Sequence, residues 1–267
     1  MAAEGPEGGD VVLSRVDGAV ARVTLNRPKS LNVLDEPMGL ALANALHTIE
    51  RNPAVKVVVL DGAGRDFMGG GDLTVFHADL THAPDTASRL IGSFHQSIRC
   101  IKRMPMPVIA SIKGAVAGGG AGLALACDLI IASADTKLVP AYGRIGTSPD
   151  GGTSWSFTQL LGARRAMEVL LLGDAIDAER ALELCLVNKV VPADQLAAAT
   201  DAIAARLAAG PRLAMANVKQ LIQSAQTGGL DAHLEAERAG FVAAAGTADF
   251  REGITAFFER RTPKFVV

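Results

Sequence analysis

The sequence predicts an α/β fold in which buried strands come first and helices dominate the later part. Two observations carry this. Val55–Leu60 and Val108–Ile112 are continuous apolar runs rich in β-branched residues, the pattern of strands covered on both faces, and each leads into glycine-rich chain. From Gly151 onward the pattern turns helical, with one strand-like run, Val187–Val191, among the helices. Strand–helix units followed by helices argue an α/β core with a helical C-terminal extension.

In chain order, Met1–Asp10 is rich in Gly and Glu, without a basic segment leading into an apolar one. It reads as a disordered tail and not as a signal peptide. Val11–Val16 and Ala19–Leu25 alternate around Asp17-Gly18, a hairpin signal. Asn26-Arg27-Pro28-Lys29 breaks that pattern, and Asp35 is placed to cap a helix reaching about Arg51. Asp85–Arg103 is amphipathic and reads as a helix. Beyond Val108–Ile112, Gly118-Gly119-Gly120 opens a helix of small residues to Ala126, followed by short strands at Leu129–Ala132 and Lys137–Val139. The later helices are Ser154–Leu161, Arg164–Leu172, Ala178–Cys185, Ala193–Ala209, Leu213–Gln226, Leu230–Ala244 and Phe250–Arg260.

A chain of 267 residues with 49% hydrophobic content buries a sizeable core and leaves room for a medium-sized ligand. A net charge of −2 gives no electrostatic case for nucleic acid or an acidic membrane. No apolar run reaches the ~18 residues of a membrane helix. Cys100, Cys127 and Cys185 are widely spaced without a CxxC pair, as expected of free thiols in a reducing cytoplasm. His77, Asp79 and His82 have no common metal-ligand spacing and read as a loop.

The chemistry concentrates in two glycine turns. The first runs from Asp61 to Asp72 and ends in Gly69-Gly70-Gly71. It offers Gly62-x-Gly64, but Phe67 stands where a dinucleotide fingerprint needs a third glycine, and no helix-opening pattern follows directly. Neither turn ends in the Gly-Lys-Ser/Thr of a phosphate loop. What remains is backbone. Glycines let the main chain approach a ligand closely, and Gly118–Gly120 places amide groups at a helix N-terminus, where negative charge is favoured. Two N–H groups converging on one oxygen form an oxyanion hole, whose donors are worth roughly 3 kcal/mol each in other enzymes.

The segments Arg22–Asn32, Phe67–Leu73, Pro107–Gly120 and Gly146–Gly152 resemble, in order and spacing, the enoyl-CoA hydratase/isomerase (crotonase) superfamily, and the likeness runs from about residue 11 to Phe265. The resemblance implies a spiral of ββα units, of the ClpP-like kind, over residues 11–200. It implies a helical trimerisation region over 201–267, a homotrimer or dimer of trimers, and acyl-CoA thioester substrates. By position, the oxyanion donors fall on Gly71 and Gly119. Lys29, Ser30 and Leu31 match the lining of the CoA channel, and Gly69, Asp72 and Leu73 match the stretch beside adenine and pantetheine. Phe257 to Lys264 resembles the segment that reaches CoA from a neighbouring subunit.

The departures bear on the reaction. The two glutamates with which hydratases of the family add water would stand where this chain has Gly122 and Tyr142, so simple hydration is not expected. Asp150 instead stands in the turn Pro149-Asp150-Gly151-Gly152, where the family's double-bond isomerases, including those acting on epoxyphenylacetyl-CoA, also place an acid. The chlorobenzoyl-CoA dehalogenase puts a nucleophilic Asp there too, paired with a His at the position of His95. Pro-Asp-Gly is in its own right a turn sequence, His95 sits on an amphipathic stretch, and Tyr142 either bonds the acyl group or covers the pocket. The expectation is an acyl-CoA isomerase with Asp150 as proton carrier and no metal, flavin or nicotinamide. The rivals are a dehalogenase or thioester hydrolase using Asp150 and His95, and a non-catalytic CoA-binding protein.

Overall fold

The computed structural model describes residues 9–265. Most of the proposed N-terminal tail lies outside that range, while the Asp10 carbonyl accepts a 2.9 Å bond from Asn26 Nδ2. The hairpin forms as read: β1 (Val12–Asp17) and β2 (Val20–Leu25) pair antiparallel about Asp17 and Val20. β3 (Val57–Gly62), β4 (Val108–Ile112), β6 (Leu129–Ser133) and β9 (Lys189–Val191) extend the sheet in parallel, in the order β1-β2-β3-β4-β6-β9. A second sheet has the order β5-β7-β8, with β5 at Ala115–Ala117, β7 at Lys137–Val139 and β8 at Ile176–Asp177.

Helix α1 (Glu36–Glu50) starts at Asp35, whose carboxylate accepts the Met38 N–H at 2.9 Å, and it packs against α3 (Ala83–Arg103). Leu42, Leu46, Phe94 and Ile101 from this pair are fully buried against β-strand residues such as Leu25, Val58 and Ile112. A short α2 (Leu73–His77) opens directly at Asp72, so the reading that no helix follows the first turn was wrong. α4 (Gly119–Ala126) is buried throughout, as its small residues allow. The two helices read on either side of residue 162 lie in one element, α5 (Thr153–Leu172), broken where Gly162 takes φ 72° and ψ 160°. The rest are α6 (Ala178–Glu183), α7 (Leu196–Ala208), α8 (Arg212–Ala225), α9 (Leu230–Ala245) and α10 (Ala248–Glu259).

Some boundaries move for identifiable reasons. β3 begins at Val57 because the Lys56 and Val57 amides both bond the Ala19 carbonyl, at 2.8 and 3.2 Å, which fixes where pairing starts. β9 loses Val187, whose amide, like that of Leu186, turns back to the Ala181 carbonyl at the end of α6. Pro84 sits in the first turn of α3, where a missing N–H costs nothing, so that helix starts earlier than Asp85.

Candidate active site

The two glycine turns meet beside the sheet. Met68 N–H donates to the Ala115 carbonyl at 3.1 Å and Ala117 N–H returns a bond to the Met68 carbonyl at 2.9 Å, which clamps the first turn along β5. Gly70, at φ 98°, lies so close that a Cβ there would sit 3.1 Å from the Ala117 carbonyl oxygen. On its other side Leu34 N–H donates to the Gly70 carbonyl at 2.7 Å, and Asp72 N–H donates to the Leu34 carbonyl at 2.8 Å. That bridge leaves the Gly71 N–H pointing away from Leu34. Gly119 is the first residue of α4, where an amide has no partner within the helix.

The chain before the first turn is held by one side chain. Leu31 and Asn32 take left-handed φ values of 55° and 52°. Buried Asn32 donates to the carbonyls of Ala63, Asp66 and Phe67 at 3.0, 2.9 and 3.1 Å, and accepts the Arg27 N–H at 2.8 Å. This fixes Lys29, Ser30 and Leu31, in and just after the 3-10 turn Pro28–Ser30, against the first glycine turn, and Gly69 N–H donates to the Leu31 carbonyl at 2.8 Å. Asp72 caps α2 through Thr74 and pairs with Arg27 at 3.1 Å. Burial pushes its carboxyl up, but the Thr74 and Arg27 bonds outweigh that and hold it below the usual carboxylate range. Leu73 is half exposed beside it.

Asp150 is brought to the second turn. Its Oδ1 lies 3.6 Å from the point where a Cβ on Gly119 would stand. The same oxygen accepts the Tyr142 hydroxyl at 2.7 Å, and Tyr142 Oη is 3.0 Å from Thr153 Oγ1. Burial first, then the neighbouring Asp150 charge, pushes the Tyr142 phenol up, so it stays protonated and donates to Asp150. With that proton committed, Thr153 is the donor to Tyr142. Gly151, at φ 55°, leaves no room for a Cβ against the Phe94 ring, and Phe94 also lines Gly119. Gly151 N–H donates to His95 Nε2 at 3.3 Å. That nitrogen is therefore an acceptor, and the imidazole proton of this arrangement is on Nδ1.

Gly122 is filled from the same loop. A Cβ at residue 122 would stand 2.6 Å from Thr153 Oγ1 and 2.8 Å from the Gly151 carbonyl oxygen. A glutamate has no space there without moving the Asp150 loop.

The structure thus gathers Gly71, Gly119, Asp150, Tyr142 and His95 around the glycine turns, with Lys29, Ser30, Leu31, Gly69, Asp72 and Leu73 along the adjoining loops. It does not bring Phe257 or Lys264 to them within the chain. Phe257 is 76% exposed on α10, and Lys264 follows that helix with its N–H on Glu252 at 2.7 Å. Sequence reasoning missed Arg27, Phe94 and Thr153 as supports of the site; the glycine pair directly after Asp150 was the hint the sequence offered. His47, Glu50 and Cys100 place donor atoms within 4.8 Å of one another. There Arg103 holds both Glu50 oxygens, at 2.9 and 2.8 Å, and burial pushes the Cys100 thiol up to about 11. His82 pairs with Asp79 at the surface.

A spiral α/β core, paired glycine turns and the carboxylate of Asp150 beside the second of them are the features of an acyl-CoA enzyme of the crotonase type. The family profile described as enoyl-CoA hydratase/isomerase matches residues 15–266, and the chain belongs to that family. The 1,2-epoxyphenylacetyl-CoA isomerase of Escherichia coli (strain K12) is 37% identical over 257 residues, spanning 96% of this chain and 98% of that protein. The trans-2-decenoyl-(acyl-carrier-protein) isomerase of Streptococcus mutans serotype c is 32% identical over 256 residues, 95% of this chain and 97% of that one. The crystal structure of an enoyl-CoA hydratase from Polaromonas sp. JS666 superposes with a TM-score of 0.91 at 37% identity, covering 96% and 99% of the two chains.

Proposed function

We propose that the protein is an acyl-CoA double-bond isomerase. The observation that carries this is the packing at Gly122: the space a hydratase glutamate needs is taken by Thr153 and the Gly151 carbonyl. Tyr142 stands at the second glutamate position and donates to Asp150, whose carboxylate lies beside Gly119. Two relatives named as isomerases support the same reading.

In this mechanism the thioester oxygen lies between the Gly71 and Gly119 amides, at the positive end of α4. Asp150 takes a proton from the carbon next to the thioester carbonyl. The C–H electron pair moves into the dienolate, whose negative oxygen the two amides stabilise. Asp150 then returns the proton two carbons further along, and the double bond shifts. One base on one face suffices, so the reaction consumes no oxidant, metal or flavin. Tyr142 holds Asp150 in place, and the loops around Lys29, Ser30, Leu31, Gly69, Asp72 and Leu73 receive the CoA moiety. Phe257 and Lys264 serve the site of a neighbouring subunit in a homotrimer or dimer of trimers, in the cytoplasm.

The test is one turnover screen of 3-enoyl-, 2-enoyl- and aryl-CoA thioesters with wild type, Asp150→Asn and His95→Gln. The isomerase reading expects double-bond migration, lost by ~10²–10⁴ in Asp150→Asn with thioester affinity nearly unchanged. It expects tenfold or less from His95→Gln, because the Gly151 N–H already engages His95 Nε2. Full isomerisation by Asp150→Asn overturns the assignment. An aspartyl-acyl adduct accumulating in the His95 variant moves it to the dehalogenase or hydrolase reading. CoA binding without turnover of any thioester leaves a binding protein.

A further inference from the structure

Between α8 and the core lies a cavity of about 480 Å³ that neither glycine turn nor Asp150 lines. Most of its wall is apolar, from side chains such as Leu125, Leu129, Leu160 and Ile222. Its charged lining groups are Lys102, Asp128 and Lys219. Lys219 and Asp128 form a closed pair at 2.8 Å. Lys219 also donates to the carbonyls of Ile101 and Met106, at 2.8 and 3.2 Å, and Asp128 accepts the Val108 N–H at 2.8 Å.

That leaves Lys102, which makes no ion pair or hydrogen bond with the described residues and rests its Nζ 5.6 Å over the Trp155 ring. Burial works against its charge, lowering its pKa, while Asp128 pulls the other way. A second donor is also unspent: Gln223 Nε2 is buried without a partner among the described residues. A cation and a buried amide donor that make no hydrogen bond to the acceptors around them are costly unless something supplies a negative oxygen.

We propose that this cavity binds a free monocarboxylic acid with an apolar body, a medium-chain alkanoate or arylalkanoate. Its carboxylate is taken by Lys102 and Gln223, and its body lies on the leucines. One spare positive charge matches one carboxylate. A CoA thioester, with several phosphate charges and a larger body, matches neither the charge nor the volume. The site is separate from the one proposed for catalysis and does not depend on that reading.

Trp155 lines the cavity and is the only tryptophan in the sequence, so its emission can follow binding here, and the Lys102 and Gln223 variants tie the signal to this cavity. The experiment titrates the intact protein with octanoate and phenylacetate, with octan-1-ol as the uncharged control, and follows Trp155 fluorescence. Calorimetry on the same samples detects binding that leaves the indole unperturbed. Saturable binding of at least one acid is expected, weakened about tenfold in both Lys102→Met and Gln223→Leu, with octan-1-ol binding at least tenfold more weakly. Circular dichroism checks that each variant is folded, and either variant alone suffices. Absence of saturable binding overturns the proposal, including the case where a second copy of the chain closes the cavity. Equal binding of octan-1-ol, or unchanged affinity in a folded variant, overturns it equally.

Discussion

Gly122 and Tyr142 are legible in the sequence only as substitutions for two glutamates; what each does is a matter of contacts that no spacing reveals. Thr153 and Gly151 come to residue 122 from 31 and 29 positions along the chain, through the turn at Pro149–Gly152. The contact predicts an outcome. Gly122→Ala forces a methyl group against Thr153 Oγ1 and the Gly151 carbonyl, and should cost about 1–3 kcal/mol in urea denaturation, the usual range for overpacking. Gly122→Glu should lose more and gain no hydration of 2-enoyl-CoA. Tyr142→Phe tests the neighbouring bond. Loss of one charge-assisted donor to Asp150 should lower kcat about tenfold while KM stays within twofold. An equal fall in thioester affinity would show that Tyr142 contacts the substrate and does not merely hold the carboxylate.

At the scale of elements, the strands with long apolar runs were readable, because a buried parallel strand must be apolar on both faces. β5 and β8 were not: three and two residues carry no periodicity, and both exist only through pairing with β7. α2 escaped for a similar reason, being five residues long and defined mainly by its cap. That cap ties local structure to pH. Asp72→Asn removes the Arg27 ion pair and weakens the bonds to Thr74, and replacing such a cap altogether costs about 1 kcal/mol. Because the folded Asp72 carboxyl is held below its unfolded value of 3.8, its stabilisation is present above about pH 4 and fades as pH falls through the folded value. Denaturation midpoints of wild type and Asp72→Asn should therefore differ at pH 7 and converge on acidification. A gap that widens toward pH 3 would contradict this.

For the molecule as a whole, large apolar side chains remain at the surface of the single chain. Leu171, Phe257 and Phe258 are each at least 76% exposed, and Phe241 and Leu172 about two thirds. If these side chains are covered by association, as the proposed homotrimer or dimer of trimers requires, light scattering at micromolar concentration should give the mass of a trimer or hexamer; a monomer would refute the assembly. The thiols offer a second global reading. Cys185 is exposed, whereas burial pushes Cys100 to about 11 and Cys127 to about 12. A thiol reagent at pH 8 should titrate one group per folded chain, and three after unfolding, if association leaves Cys185 open.

The filled space above residue 122 also has a consequence for descent. Restoring a glutamate there is not a neutral step: it collides with a loop whose glycine at 151 is pressed on Phe94 and whose aspartate is held by Tyr142. Restoring the other glutamate, at 142, removes that hold. On the isomerase reading proposed above, neither single change is expected to leave a working enzyme, which would put a fitness valley between adding water and moving a double bond. Libraries that vary one position at a time should then fail to interconvert the two chemistries, whereas libraries that remodel residues 149–153 as a block should be able to.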